Sequence, residues 1–234
     1  MLMLVLSDFH LGKGKFLDNG HVNILEDFDE DEKFSEFLDF YSTGTHYFSD
    51  IHVILNGDIF NLIQMDVKGV FTHLITEEAT KDMVNEIIEG HPLFFQALKK
   101  YLSRPNKKVT YVVGNHDIAM CFPAAQKAFC DAVGKKVEFT HQYISNGVLI
   151  EHGHRFEPLN TVPRSQHIID GPDNKPIINL PWASLFCVYL LPKLKEMRPF
   201  IDKIRPLSLY VKWIILHDFK FFLYLSWVVI TYCI

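Results

Sequence analysis

Apolar runs rich in β-branched residues recur along the first two thirds of the chain, and they predict buried β-strands. The run at 51–56 is apolar apart from His52 and Asn56, as expected for a strand in a sheet that is covered on both faces. The dipeptide Asn146-Gly147 lies between two such runs and is a strong signal for a hairpin turn. We predict strands at 3–7, 51–56, 108–113, 137–144 and 147–151.

Between these runs, apolar residues recur at helical spacing. Gly90 and Pro92 separate two helices, and Pro123 and Gly134 mark the start and the end of another. Residues 8–30 are glycine-rich and then acidic, which predicts a loop with a solvated acidic face. We predict helices at about 31–42, 77–89, 92–103 and 123–133.

The composition changes after about residue 155. Five prolines between 158 and 181 predict a surface loop, and from Trp182 onward the chain is apolar, aromatic and helical in pattern. Alternating strands and helices followed by a helical tail indicate a layered α/β fold, with sheets flanked by helices. We expect a core at 1–180 and a C-terminal helical cap or insertion at 181–234.

Bulk composition narrows the classes of function. A chain of 234 residues with 48% hydrophobic and 22% charged residues has room for one substantial core and a smaller appendage. A net charge of −5 provides no basic footprint, so we expect no nucleic-acid partner. The four cysteines show no paired ligand spacing and are interpreted as ordinary buried thiols. The N-terminus lacks the features of a signal peptide, which favours a cytoplasmic protein.

Polar clusters follow four of the predicted strands. They are Asp8-Phe-His10, Gly57-Asp58, Gly114-Asn-His-Asp117 and His152-Gly-His154. Strands that end in such residues can bring them together at one edge of a sheet. Mixed carboxylate, amide and imidazole ligands suit Mn, Fe, Zn or Co better than Ca. The candidate metal ligands are Asp8, His10, Asp58, Asn115 and His152.

The order and context of these clusters resemble the calcineurin-like metallophosphoesterase superfamily over about residues 1–160. The resemblance implies a layered metallophosphoesterase fold that holds two divalent metal ions. It places Asp8 and His10 on the first ion, Asn115 and His152 on the second, and Asp58 as the bridge between them.

The resemblance also implies a mechanism. A metal-bridging hydroxide attacks the phosphorus directly, without a phosphoenzyme. His116 either protonates the leaving oxygen or stabilises the transition state, and Asp117 orients the His116 imidazole. Both residues are therefore candidate catalytic groups.

The segment from Glu151 to Asn160 resembles the fourth block of a bacterial branch of the superfamily. That likeness places His154 and Arg155 at the substrate pocket, although His154 can equally be a structural residue and Arg155 a surface ion pair. The chain also resembles, in part, the UDP-2,3-diacylglucosamine hydrolases. Their third block has Arg where this chain has His116, and a lipid-linked pyrophosphate is therefore only one candidate substrate.

The superfamily's last block, Gly-His-x-His, has no counterpart after residue 155. His167 and His217 lie in other contexts and are interpreted as ordinary residues. We therefore expect that the chain stops before that block.

Residues 221–234 carry no charge, and they are fewer than the about 20 residues that are needed to span a bilayer. They predict either a core-packing helix or an apolar cap that receives a lipid chain or makes peripheral membrane contact.

The motifs and the superfamily resemblance lead to two hypotheses about the class of function. The first is a metal-dependent hydrolase, manganese being one candidate metal, that acts on a phosphodiester, a phosphate monoester or a pyrophosphate in a small or lipid-linked substrate. The second is a non-catalytic scaffold or binding protein on a degenerate metallophosphoesterase fold. A third hypothesis is that the chain is a relative of the protein phosphatases, and Asp117 argues against it. The oligomeric state is left open.

Overall fold

A parallel sheet of four strands forms the centre of the structure, a computed structural model that describes residues 1–17 and 19–233. Asp18 in the predicted loop, Ile234 at the end of the predicted cap and the side chains of Asp173, Tyr232 and Cys233 lie outside the described part. The strand order is β1-β2-β3-β4, and the register aligns Leu4 with Val53 and Val53 with Val109. The strands are β1 (Leu2–Leu6), β2 (Ile51–Asn56), β3 (Lys107–Val112) and β4 (Glu138–Thr140). The first three predicted strands are confirmed to within one residue.

Four helices connect these strands and confirm the predicted helical segments to within two residues. Thr76 caps one of them by accepting a hydrogen bond from the amide of Ala79, and prolines begin two others. The last of the four ends at Gly134 in the left-handed conformation. The helices are α1 (Asp31–Phe40), α2 (Glu77–Gly90), α3 (Pro92–Ser103) and α4 (Pro123–Val133).

Alternating side chains of β2 belong to two different hydrophobic clusters. Val53 and Leu55 pack into the main core with residues of α1 to α4. Ile54 instead packs with Val112 and Ile150 in a smaller cluster. Because neighbouring residues of a strand point to opposite faces, the sheet is covered on both sides, as the mostly apolar run predicts.

The predicted strand at 137–144 is wrong in its extent. Residues Glu138–Thr140 pair in parallel with β3, and the chain then turns at Gln142, whose carbonyl accepts a hydrogen bond from Thr140 Oγ1 at 2.8 Å. Two further strands, β5 (Tyr143–Ser145) and β6 (Val148–Ile150), form an antiparallel hairpin. Its turn is the predicted Asn146-Gly147, with both residues at positive φ.

The proline-rich segment contains a second hairpin, which the sequence interpretation assigned to a loop. It consists of β7 (Ile168–Asp170) and β8 (Pro176–Ile178). The strands have three residues each, too short for a periodic signal. Backbone pairing of Thr76 with Ile177, and a 3.0 Å hydrogen bond from Ile178 N to Ile75 O, attach this hairpin to the segment before α2.

The C-terminal segment is helical, as predicted, and has a hydrophobic cluster of its own. Leu194, Ile214 and Val228 are among its buried residues. The Lys195 ammonium is fully buried and forms ion pairs with Asp27 and Asp202. No helix within the described residues combines the length and the apolar character needed to cross a membrane. The helices are α5 (Trp182–Tyr189), α6 (Leu191–Met197), α7 (Leu207–His217) and α8 (Phe219–Cys233).

A buried ion pair joins the N-terminal loop to the helices. His91, between α2 and α3, has Nε2 3.2 Å from a Glu26 carboxylate oxygen and Nδ1 3.0 Å from Asp31 of α1. The Glu26 carboxylate also accepts hydrogen bonds from the amides of Gly12 and Gly14. Burial lowers the pKa of His91, but the two carboxylates outweigh burial and raise it to about 9.

We expect that His91→Gln lowers the free energy of unfolding by roughly 3 kcal/mol, because it leaves two carboxylates without their buried cation. Urea unfolding at neutral pH measures the loss. The matched control is His21→Gln at an exposed histidine, which should change stability by less than about 0.5 kcal/mol. Equal effects of the two substitutions would contradict the role of His91.

The same ion pair predicts a pH dependence. The pKa of His91 rises from an ordinary 6.5 to about 9 on folding. The contribution of His91 to the free energy of unfolding is therefore complete below pH 6.5 and is lost as the pH rises toward 9. The stability difference between wild type and His91→Gln should shrink across that window. A difference that stays constant from pH 6 to about 9.5 would show that His91 does not gain its proton on folding.

Candidate metal centre

The segments that follow β1 and β2 run side by side beyond the sheet. The amide of Asp8 donates to the carbonyl of Gly57 at 3.1 Å, and the amide of His10 donates to the carbonyl of Asp58 at 2.9 Å. Asp8, His10 and Asp58 have φ values of 58°, 55° and 52°. A non-glycine residue in this left-handed region is strained by roughly 1–2 kcal/mol, and such strain concentrates at functional sites.

The Asp58 carboxylate lies at the centre of the cluster and is only 4% exposed. Its Oδ2 is 3.2 Å from His152 Nε2 and 3.8 Å from His10 Nε2, while Oδ1 accepts a hydrogen bond from the amide of His116 at 2.9 Å. Among the described residues, two triads that include Asp58 have ligand atoms within 4.8 Å of one another, Asp8–Asp58–His152 and His10–Asp58–His116. Asp58 is common to both, which is the arrangement that a bridging carboxylate requires.

The His152 ring is held in the orientation of a metal ligand. Its Nδ1 donates to the carbonyl of Asn56 at 2.9 Å, which leaves Nε2 facing Asp58. Burial lowers the pKa of His152, but the Asp58 carboxylate outweighs burial and raises it to about 9. Burial raises the pKa of Asp58, yet the hydrogen bond from His152 and the nearby imidazoles lower it below its usual range. A cation bound here would replace the proton of His152.

Two glycines make room for this cluster. A Cβ on Gly57 would lie 2.5 Å from His152 Cγ, and a Cβ on Gly114 would overlap the Asp58 carboxylate. Gly57 also has a φ of 78°, which an L side chain rarely adopts. The glycines that precede Asp58 and Asn115 in the motifs are therefore required by the packing of the site.

The protonation state of His116 follows from its neighbours. Asn61 donates through Nδ2 to the Asp27 carboxylate at 3.4 Å, so its Oδ1 accepts from His116 Nδ1 at 2.8 Å. Burial lowers the pKa of His116 to about 4. At neutral pH the ring is therefore uncharged, with its proton on Nδ1 and a lone pair on Nε2. This state is suited to accept a proton or to bind a metal, and it does not suit the predicted donation of a proton to a leaving oxygen.

The prediction that Asp117 orients His116 is wrong, because the carboxylate lies elsewhere. Asp117 is fully buried and accepts hydrogen bonds from the amide of Ile59 at 2.8 Å, the amide of Gly114 at 2.6 Å and the hydroxyl of Tyr111 at 2.6 Å. It thereby fixes the loops that carry Asp58 and Asn115 to one another. Asn61 holds the His116 ring instead, and the sequence interpretation missed it, although it follows Asp58 by three residues.

The remaining predicted site residues lie around this cluster. Asn115 is half-buried between Gly114 and His116. The ring of His154 is 5.5 Å from that of His152, centroid to centroid, and both residues line a cavity of about 270 Å³. Arg155 also lines that cavity, but its Nε is 3.2 Å from Glu151, which is the surface ion pair that the sequence left open.

Searches of protein-family models, of curated proteins and of solved structures find no match to this chain. The superfamily resemblance therefore stays a prediction based on the four motifs. The structure adds to those motifs the convergence of Asp8, His10, Asp58, His116 and His152 at one end of the sheet.

We expect that Gly57→Ala is far more disruptive than Gly20→Ala. The two glycines have φ values of 78° and 79°, so both substitutions carry the same backbone penalty of about 1–2 kcal/mol. Only Gly57 adds a clash with His152, since no described atom lies within 4 Å of a Cβ at Gly20. Urea unfolding should show a larger loss of stability for Gly57→Ala. Equal losses would mean that His152 does not pack against this loop.

Proposed function

We propose that this protein is a metal-dependent hydrolase of phosphate esters. The observation that carries the proposal is the position of Asp58, whose carboxylate belongs to both triads of potential ligands. A carboxylate shared in this way suits a pair of cations, and paired cations are a common device for displacement at phosphorus.

The donor set fits divalent transition metals. Asp8, His10, Asp58, Asn115 and His152 would hold them, and their mixture of carboxylate, amide and imidazole groups suits Mn, Fe, Zn or Co. When bound, two such ions supply an activated water and neutralise charge that develops on the phosphoryl oxygens.

The neighbouring residues have separate tasks in this proposal. Uncharged His116, with the lone pair of Nε2 free of the Asn61 hydrogen bond, accepts a proton or completes the ligand set. Asp117 acts as a positioning residue by holding the backbone of Ile59 and Gly114. His154 and Arg155 line the adjacent cavity, where a guanidinium can pair with a phosphate group.

A second cavity bears on the class of substrate. It has a volume of about 340 Å³, and apolar side chains such as Leu17, Ile24 and Met65 contribute to its wall. Asn61, which holds His116, also lines it, so the cavity adjoins the metal centre. A substrate with a phosphate or pyrophosphate group and an apolar part, such as a lipid-linked one, would use both regions. A cytoplasmic protein with peripheral membrane contact is consistent with this substrate.

The C-terminal helices contribute to the second cavity. Pro192 and Glu196 of α6 line it, and the buried Lys195 beside them pairs with Asp27. We therefore propose that residues 181–234 act as a cap on a core formed by residues 1–180, with α6 facing the substrate region.

We expect that Asp58→Asn lowers Mn²⁺-dependent hydrolysis by well over 100-fold. Loss of a residue that only supports a metal ligand typically weakens binding or activity by about 10–100-fold, and loss of the shared ligand should exceed that. The measurement is turnover of p-nitrophenyl phosphate and of bis(p-nitrophenyl) phosphate with added Mn²⁺, together with metal content by elemental analysis. The two substrates separate a monoesterase from a diesterase.

The matched control is Asp131→Asn, the same substitution at an exposed residue of α4, which should leave turnover unchanged. Unchanged Mn²⁺-dependent turnover in Asp58→Asn would refute the proposed centre. A wild-type protein that binds Mn²⁺ but hydrolyses neither ester nor a lipid-linked pyrophosphate would favour the scaffold alternative.

A further inference from the structure

A second cluster of potential ligands lies outside the Asp58 centre. Cys121 ends the short helical turn Ile118–Cys121, His141 follows β4, and His167 precedes β7. The Cys121 Sγ is 3.8 Å from His141 Nε2, and the rings of His141 and His167 are 4.9 Å apart, centroid to centroid. One ligand atom from each of the three residues lies within 4.8 Å of the others. The sequence interpretation treated Cys121 and His167 as ordinary residues.

The His167 ring carries an unused lone pair. Its Nε2 donates to the carbonyl of Val162 at 3.2 Å, which leaves Nδ1 as the acceptor. That Nδ1 is buried and has no hydrogen-bond partner among the described residues, and His167 as a whole is 6% exposed. A buried acceptor without a partner is unfavourable by about 1–3 kcal/mol, so an interaction at this atom is expected. A backbone carbonyl on the other ring nitrogen is the usual support of a histidine that binds a metal.

The chemistry of the cluster selects a borderline-soft cation. The thiolate and imidazole ligands suit zinc, whereas the carboxylate-rich Asp58 centre suits harder ions as well. In a tetrahedral site with Zn–S of about 2.3 Å and Zn–N of about 2.0 Å, neighbouring ligand atoms are about 3.3–3.6 Å apart. The observed 3.8 Å between Cys121 Sγ and His141 Nε2 is close to that spacing.

We propose that Cys121, His141 and His167 together bind one Zn²⁺ ion at a site distinct from the Asp58 centre. His141 and His167 line the cavity of about 270 Å³ that His152 and His154 also line, so a fourth ligand would be able to reach the ion from that cavity. The ion would join three segments that are far apart in sequence, namely the turn after Asp117, the connection between β4 and β5, and the loop before β7.

The protonation states of the three ligands determine how many protons are released when the ion binds. Burial lowers the pKa of His141 to about 4 and also lowers that of His167, so both rings are uncharged and ready to bind at neutral pH. Burial raises the pKa of Cys121 to about 12, so its thiol keeps its proton until the cation arrives. Binding breaks the S–H bond, forms the S–Zn bond and releases one proton to solvent.

Cobalt substitution tests the proposal because it reports the sulfur ligand directly. Co²⁺ bound to a thiolate gives a sulfur-to-metal charge-transfer absorption in the near ultraviolet, and the ligands of the Asp58 centre include no sulfur. We expect this absorption when Co²⁺ is titrated into the full chain, its displacement by Zn²⁺, and its loss in Cys121→Ser. The matched control is Cys130→Ser, which should keep the absorption. Cys130 is half-buried, and its sulfur accepts a hydrogen bond from the amide of Val137.

The proposal is overturned if the wild-type protein shows no charge-transfer absorption with saturating Co²⁺, or if Cys121→Ser retains it. If Cys121→Ser does not fold, His141→Gln replaces it, and a drop in Co²⁺ affinity of at least about 10-fold is expected from the loss of one ligand. Unchanged affinity in that variant also overturns the proposal. Because the readout is spectroscopic, it is independent of phosphoesterase activity, and either proposal can fail without the other.

Discussion

The burial of the Asp58 carboxylate is the constraint on which the rest of the site depends. A carboxylate that is 4% exposed is unfavourable unless positive or hydrogen-donating groups surround it. The structure supplies the His152 imidazole and the amide of His116, and it keeps both close through glycines at positions 57 and 114. The segments that follow β1, β2, β3 and β6 therefore each deliver one part of a single electrostatic cluster. If the proposed metal centre is correct, a bound cation would replace the proton that the Asp58 carboxylate stabilises on His152.

A chain of polar contacts extends this cluster to the C-terminal helices. His116 donates to Asn61, Asn61 donates to Asp27, and Asp27 forms an ion pair with the buried Lys195 of α6. A fully buried ammonium needs its carboxylates, so α6 is held at Asp27 with little freedom. The tautomer of His116 thus depends on an interaction with a helix more than 70 residues further along the chain. This gives the C-terminal helices a physical means of influencing the Asp58 cluster.

The sequence predicted the first three strands, helices α1 to α4 and the residues that converge around Asp58, for identifiable reasons. β2 is mostly apolar because both faces of the sheet are covered, and parallel strands bring their carboxyl ends to one edge. The roles of Asn61 and Asp117 were not predictable, since each depends on which loop lies opposite. The division of 137–144 into β4 and β5 was missed because a three-residue strand has no periodicity to detect.

The cluster of Cys121, His141 and His167 shows a different limit of sequence interpretation. Its members have no motif spacing, and they meet only because the connection after β4 and the loop before β7 are adjacent in space. On the two proposals made above, the protein would contain one oxygen-rich centre and one centre with a thiolate. Zinc binds more tightly than manganese to almost any set of ligands, so an oxygen-rich centre alone cannot exclude it. When no more than about one zinc ion per chain is available, the thiolate site would take it up first, and the Asp58 centre would then be available to a harder ion.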